Sequence, residues 1–140
     1  MGKTEVVLID TSSWIEALRA GGNMDVRKRV QTLMLDGRAA WCDLVAVELW
    51  NGARGDYEKQ QLHELEREIT CLETTTEAWR TARTLAQESR KAGKTVPAAD
   101  LIIAACAIVH DASIEHCDSH MDFILNTHKT RKPSKGKKIT

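Results

Sequence analysis

The run Val6-Val7-Leu8-Ile9 followed by Asp10-Thr11-Ser12 constrains this chain more than any other stretch. Four apolar residues, three of them β-branched, suit a strand buried on both faces, as in parallel sheets covered by helices. The run breaks off at a carboxylate and two hydroxyls, so the strand delivers an acid to the sheet edge. In open parallel α/β sheets ligands bind in the crevice beyond the carboxyl ends of the strands, and an acid there is placed for chemistry. An Asp that only caps the next helix reads equally well from this stretch alone. The recurrence of the pattern decides between the two.

Ala39-Ala40-Trp41-Cys42 is a second short strand ending at Asp43, Ile69-Thr70-Cys71-Leu72 a third, and Ser113-Ile114-Glu115-His116-Cys117 a weak fourth ending at Asp118. Helices separate them. Ser13-Trp14-Ile15-Glu16 has capping-box spacing for a helix that runs to Gly21-Gly22. A second runs from Asn23 to Asp36 and stops at Gly37; a third, from Leu44 to Ala53, carries Glu48 near its start. The polar helix Tyr57 to Glu68 has a thin apolar stripe (Leu62, Leu65, Ile69), which predicts a surface arm that packs on a partner. Thr74-Thr75-Thr76-Glu77 opens a helix to Ala92 with Trp79, Ala82, Leu85 and Ala86 inward. Pro97 marks the first turn of a helix over 98–109 that is apolar nearly all round except for Asp100. Such a helix belongs in the core, and a carboxylate at its mouth needs donors or a cation. A short helix with Met121, Phe123, Ile124 and Leu125 closes the pattern. Strands alternating with helices predict an α/β fold with a mainly parallel sheet of four or five strands and right-handed crossovers.

The 140 residues suit one domain, with a boundary after residue 127. Residues 128–140 hold six basic side chains and no acid, leaving 14 basic against 20 acidic groups in the body. The tail reads as a basic, disordered terminus. Without a run of 18 apolar residues or a signal-like start, the expected location is the cytoplasm, with no membrane partner. Cys42, Cys71, Cys106 and Cys117 fall singly in apolar segments and read as buried reduced thiols. A zinc site built on His116, Cys117 and His120 lacks a fourth ligand at recognisable spacing.

Four acids occupy corresponding topological places: Asp10, Glu48, Asp100 and Asp118. Carboxylates crowded into one crevice raise one another's pKa values unless something positive lies between them. Hard divalent cations do this with oxygen ligands, and two-metal sites stabilise both the attacking and the leaving oxygen in phosphodiester cleavage. In this order, Leu8-Ile9-Asp10-Thr11-Ser12, Val47-Glu48-Leu49-Trp50-Asn51-Gly52, Ala99-Asp100-Leu101-Ile102-Ile103-Ala104-Ala105 and His116-Cys117-Asp118 resemble the motifs of PIN-domain ribonucleases. The likeness is to the single-domain VapC-type toxins of bacterial toxin–antitoxin pairs, and it covers residues 5–127.

The resemblance implies a three-layer PIN-like α/β/α fold and an endoribonuclease that cuts RNA with metal-bound water. It implies a cognate VapB-like antitoxin whose tail lies across the cleft, and a homodimer. Asp10, Glu48, Asp100 and Asp118 become the catalytic acidic set that holds Mg²⁺ or Mn²⁺, with Asp10 and Asp100 as direct ligands, Asp118 supporting an ion directly or through water, and Glu48 ligating or orienting the attacking water. Ser12 would position a carboxylate or a metal-bound water. The chain departs from the family after Asp118, where Asp118-Ser119-His120-Met121-Asp122 puts Met121 in place of an aromatic, and Asp122 is supporting at most. Arg90, Lys91 and Lys94 are candidate phosphate contacts. Trp14 and Trp50 would suit a groove for the antitoxin or a second copy. The rival reading is a PIN fold that binds RNA or protein without cleavage. A metal-free mechanism through His116 or His120 leaves the four acids unexplained.

Overall fold

A computed structural model describes residues 5–131. Its elements in chain order are β1 (Val7–Ile9), α1 (Thr11–Leu18), α2 (Met24–Leu35), β2 (Ala39–Cys42), α3 (Asp43–Gly52), α4 (Asp56–Glu68), β3 (Thr70–Leu72), α5 (Thr76–Lys91), α6 (Ala98–Val109), β4 (Ser113–Glu115) and α7 (Ser119–Arg131). The four strands form one all-parallel sheet in the order β3-β2-β1-β4. β1 and β2 are buried along their whole length, as apolar strands covered on both faces must be.

The strand order locates the crevice. From β1 the chain moves to β2 and then β3 in one direction, and from β3 it crosses back to β4 on the other side of β1. Right-handed crossovers running in opposite directions place their helices on opposite faces. The point where the direction reverses therefore lies between β1 and β4, and there a cleft opens at the carboxyl ends of the strands. Asp10 follows β1, and Asp118 lies three residues beyond β4.

α6 forms the centre of the core, with Leu101, Ile103, Ala104, Ala105, Cys106 and Ala107 buried. α5 and α7 pack on it and on each other, while α1 packs on α2. The Trp14 and Trp41 rings meet edge to face with centroids 6.1 Å apart, a geometry that aromatic quadrupoles favour. Two glycines are structurally required. Gly37 ends α2 at φ 71°, and a Cβ on Gly22 would lie 1.9 Å from the Glu16 carbonyl oxygen.

Several expectations need correction. α1 begins two residues before the Ser13 capping box, because Asp10 itself is the N-cap; Ser13 is buried within the helix and donates to Glu115 Oε2 at 3.1 Å. Pro97 is the N-cap of α6 rather than part of its first turn. The inward stripe of α5 is Ala78, Ala82, Leu85 and Ser89, which leaves Trp79 47% exposed. Trp14 is fully buried and cannot line a docking groove. Cys42 and Cys106 are buried, but Cys71 and Cys117 are exposed, since their strands lie at the sheet edges or have already ended. β4 stops at Glu115, short of Cys117. α7 continues through Arg131, four residues beyond the boundary that composition suggests. The rest of the basic tail, 132–140, lies outside the described residues.

Candidate active site

Asp10 is 2% exposed, and its two carboxylate oxygens differ. Oδ2 accepts from the Ser12 hydroxyl at 2.7 Å and, weakly, from the Ser12 backbone N–H at 3.4 Å, which is the work of an N-cap. Oδ1 is buried with no hydrogen-bond partner among the described residues. The capping role thus occupies Oδ2 and leaves Oδ1 unused by it. The Ser12 hydroxyl in turn accepts from the Cys117 backbone N–H at 3.1 Å, tying the start of α1 to the loop that leads to Asp118.

Asp100 lies in the first turn of α6 with a side chain 14% exposed. Burial, then the charges of Asp118 and Asp10 and a hydrogen bond with Asp118, push its pKa up to about 6, while His120 pulls the other way. Asp118 and Asp10 therefore lie within electrostatic reach of Asp100. Asp118 caps the start of α7, its Oδ1 accepting from the His120 N–H at 2.9 Å. His120 Nδ1 lies 3.5 Å from both Asp100 Oδ2 and Asp118 Oδ1. One ligand atom each from Asp100, Asp118 and His120 fall within 4.8 Å of one another, the one such group of metal-ligating side chains among the described residues.

Asp10, Asp100 and Asp118 are thus brought together. Glu48 is at the same end of the fold but is held apart from the tight cluster, its Oε1 accepting from the Thr11 hydroxyl at 2.5 Å. Thr11 directly follows Asp10, so one turn of α1 positions both acids. Glu48 also borders a cleft of about 260 Å³ between α1, α3 and α4, lined by Ile15, Leu18, Leu49 and Leu62. Asp122 points away, exposed and 3.4 Å from His116 Nε2. His116, Cys117 and His120 do not form a zinc trio: Cys117 Sγ faces Ser13 Oγ at 3.3 Å, and each histidine faces carboxylates. Arg90, Lys91 and Lys94 are exposed, with Lys94 Nζ 5.1 Å above the Phe123 ring.

Sequence reasoning missed two participants. Thr11 reads in the sequence only as a hydroxyl beside Ser12, although the first residue of a helix that starts in a crevice is well placed to reach a neighbouring element. His120 reads as a zinc ligand or metal-free base, whereas it sits between two carboxylates.

The donor set suits a hard divalent cation. It is rich in carboxylate oxygen, one buried oxygen has no partner among the described residues, and one carboxyl holds its proton tightly because burial and two neighbouring carboxylates disfavour its charge. Asp100, Asp118 and His120 are the groups that would hold such an ion, with Asp10 within electrostatic reach of Asp100.

The PIN domain family matches residues 7–124. Curated relatives include a VapC ribonuclease of Mycobacterium bovis and ribonuclease VapC11 of Mycobacterium tuberculosis, each 35% identical over 123 residues, spanning 85% of this chain and 91% of the relative. Among solved structures, FitAB bound to the IR36 DNA fragment superposes with a TM-score of 0.71 at 21% identity, over 86% of this chain and 91% of that one. VapBC2 of Rickettsia felis, bound to a promoter DNA fragment, gives 0.65 at 16% identity, over 81% and 99%. At those identities the structures bear on the fold alone.

Proposed function

The chain belongs to the PIN-domain family, and on that premise we propose that it is a divalent-cation-dependent endoribonuclease toxin of the VapC type, neutralised by a cognate VapB-like antitoxin. The observation that carries this reading is the meeting of Asp100 with Asp118 and His120, where burial first and then the charges of Asp118 and Asp10 raise the Asp100 pKa to about 6 against the pull of His120. A purely structural cluster would contain its own arginine or lysine.

When bound, a cation such as Mg²⁺ or Mn²⁺ neutralises these acids and supplies Lewis-acid stabilisation for phosphodiester cleavage. Asp100, Asp118 and His120 would hold it, with Asp10 Oδ1 as a further oxygen donor. Ser12 fixes the other oxygen of Asp10, so that Oδ1 keeps its direction. Glu48, held by Thr11, orients the attacking water and accepts its proton. Asp122 supports His116 and takes no direct part. Arg90, Lys91 and Lys94, exposed where α5 turns into α6, contact phosphates and bring the polyanion to an acidic cleft. The apolar cleft between α1, α3 and α4 receives an apolar segment of the antitoxin, which there lies beside Glu48. Two copies of the chain form the working homodimer. Among the described residues no helix is long and apolar enough to cross a membrane, and the reaction is assigned to the cytoplasm, where RNA is abundant.

The test is RNA cleavage by the purified chain in Mg²⁺ or Mn²⁺ and after chelation, beside Asp100→Asn. Cleavage that needs the cation and disappears in the variant supports the reading. Cation binding without cleavage of any RNA leaves the PIN fold as a binding module instead.

A further inference from the structure

Helix α5 separates its charges around its circumference. At about 100° per residue, Trp79, Arg83 and Arg90 fall within about 40° of one another along one flank, with Arg80 and Lys91 on the exposed face between that flank and the acids. The acids Glu77 and Glu88 fall on the opposite flank, where Glu88 accepts from or pairs with His128 Nδ1 of α7 at 2.8 Å. Trp79 and the four basic residues are exposed, and none of the four cations makes an ion pair among the described residues. Favourable interaction with the helix dipole accounts for Arg90 and Lys91 in the last turn, but not for Arg80 and Arg83 in the middle.

Trp79 is the second unexplained feature. It is 47% exposed, whereas Trp14 and Trp41 are buried and the Trp50 indole donates to Glu66 Oε2 at 2.8 Å. An indole beside free guanidinium groups is the chemistry that binds single-stranded nucleic acid, where bases stack and phosphates pair. The flank runs eleven residue steps from Trp79 to Arg90, about 16 Å of helix. Its Arg90 end also lies where it would be needed: α5 and α6 pack on each other across the short connection 92–97, so α5 ends beside the start of α6, which carries Asp100.

We propose that this flank of α5 is a track for single-stranded RNA, Trp79 stacking on a base remote from the cut while Arg83 and Arg90 take phosphates between that base and the acidic cluster. The proposal rests on the ribonuclease reading and deepens it: the substrate is an unpaired strand long enough to reach from the carboxylates to Trp79. A duplex would keep its bases stacked away from the indole.

The experiment reads binding without turnover, using the full chain with Asp100→Asn and an oligouridylate of about a dozen nucleotides as probe. RNA should quench tryptophan emission, and adding Trp79→Ala should remove that quenching and weaken binding about tenfold. Arg83→Gln with Arg90→Gln should lower the slope of log affinity against log salt by about 1.4, the share of two single-strand phosphates. In the cleaving protein the same changes should raise KM more than they lower kcat, and only for RNA long enough to reach α5. Unchanged quenching in Trp79→Ala together with an unchanged salt slope overturns the track while leaving the ribonuclease reading intact. Loss of antitoxin binding with RNA binding intact also overturns it, assigning the flank to a protein. A parent chain that cleaves no RNA under any cation sinks the ribonuclease reading, yet the binding arm still decides whether RNA lies along α5.

Discussion

Two acids at the same end of the sheet make the instructive comparison. Glu115 and Asp100 have side chains 13% and 14% exposed, so burial does not distinguish them. Glu115 takes a two-pronged hydrogen bond from Arg29, at 3.0 and 3.1 Å, and a third from Ser13. Asp100 faces two further carboxylates and a histidine. The first acid is finished within the fold and holds β4 against α1 and α2. The second is left electrostatically incomplete, which is how a site for a cation or a cationic partner differs from a structural ion pair. A backbone bond from Asp10 N–H to the Glu115 carbonyl, 2.9 Å long, joins the two regions, so the finished one braces the unfinished one.

The sharpest way to break this contrast is to neutralise each acid. Asp10→Asn and Asp100→Asn should reduce RNA cleavage to the detection limit with the far-ultraviolet dichroism unchanged, whereas Glu115→Gln should keep most of the activity. Loss of cleavage in the Glu115 variant, with its fold intact, would erase the distinction.

Stability should move the other way. Because the folded-state pKa of Asp100 is raised from 3.8 to about 6, the folded protein binds this proton more tightly than the unfolded chain does. Stability is therefore lost as pH rises through that interval, and Asp100→Asn escapes the loss. In chelator, the variant should be more stable than the parent by roughly 1–3 kcal/mol above pH 6, with the gap closing below pH 4. Denaturant melts across pH measure it. Millimolar Mn²⁺ should then stabilise the parent and leave the variant unmoved.

Next in size is the Thr11 contact. Thr11→Val should cut kcat about tenfold to a hundredfold, the usual cost of losing a group that orients a working side chain. Thr11→Ser, which keeps the hydroxyl, should recover most of it. Equal losses in both variants would mean that Thr11 acts only through packing.

The smallest effect belongs to the finished acid. Arg29→Met should cost about 1 kcal/mol, because Arg29 is half exposed and solvent screens the pair. A loss several times larger, read by thermal melts, would show that Glu115 depends on its partner as strongly as a buried charge does.

The chain's alternation of short apolar runs and amphipathic stretches made the parallel α/β fold legible, and each strand-end or helix-start acid was visible as an interruption in an apolar pattern. Asp100 stands out because the rest of α6 is so uniformly apolar. Other features had no local signal. The inward face of α5 keeps Ala82 and Leu85 of the expected stripe but takes Ala78 and Ser89 in place of Trp79 and Ala86, since small side chains there pack as well as larger ones and leave Trp79 outside. Cys71 reads as a core thiol in an apolar segment, yet it lies on an edge strand.

What the sequence alone determined is which groups are present at which ends of which elements, because hydrophobic periodicity and helix capping act over a few neighbouring residues. What only the tertiary structure decided is which acid meets a cation and which meets another acid. Charge interactions depend on distance in space, and Arg29 reaches Glu115 across 86 positions of chain while no arginine or lysine among the described residues pairs with Asp100.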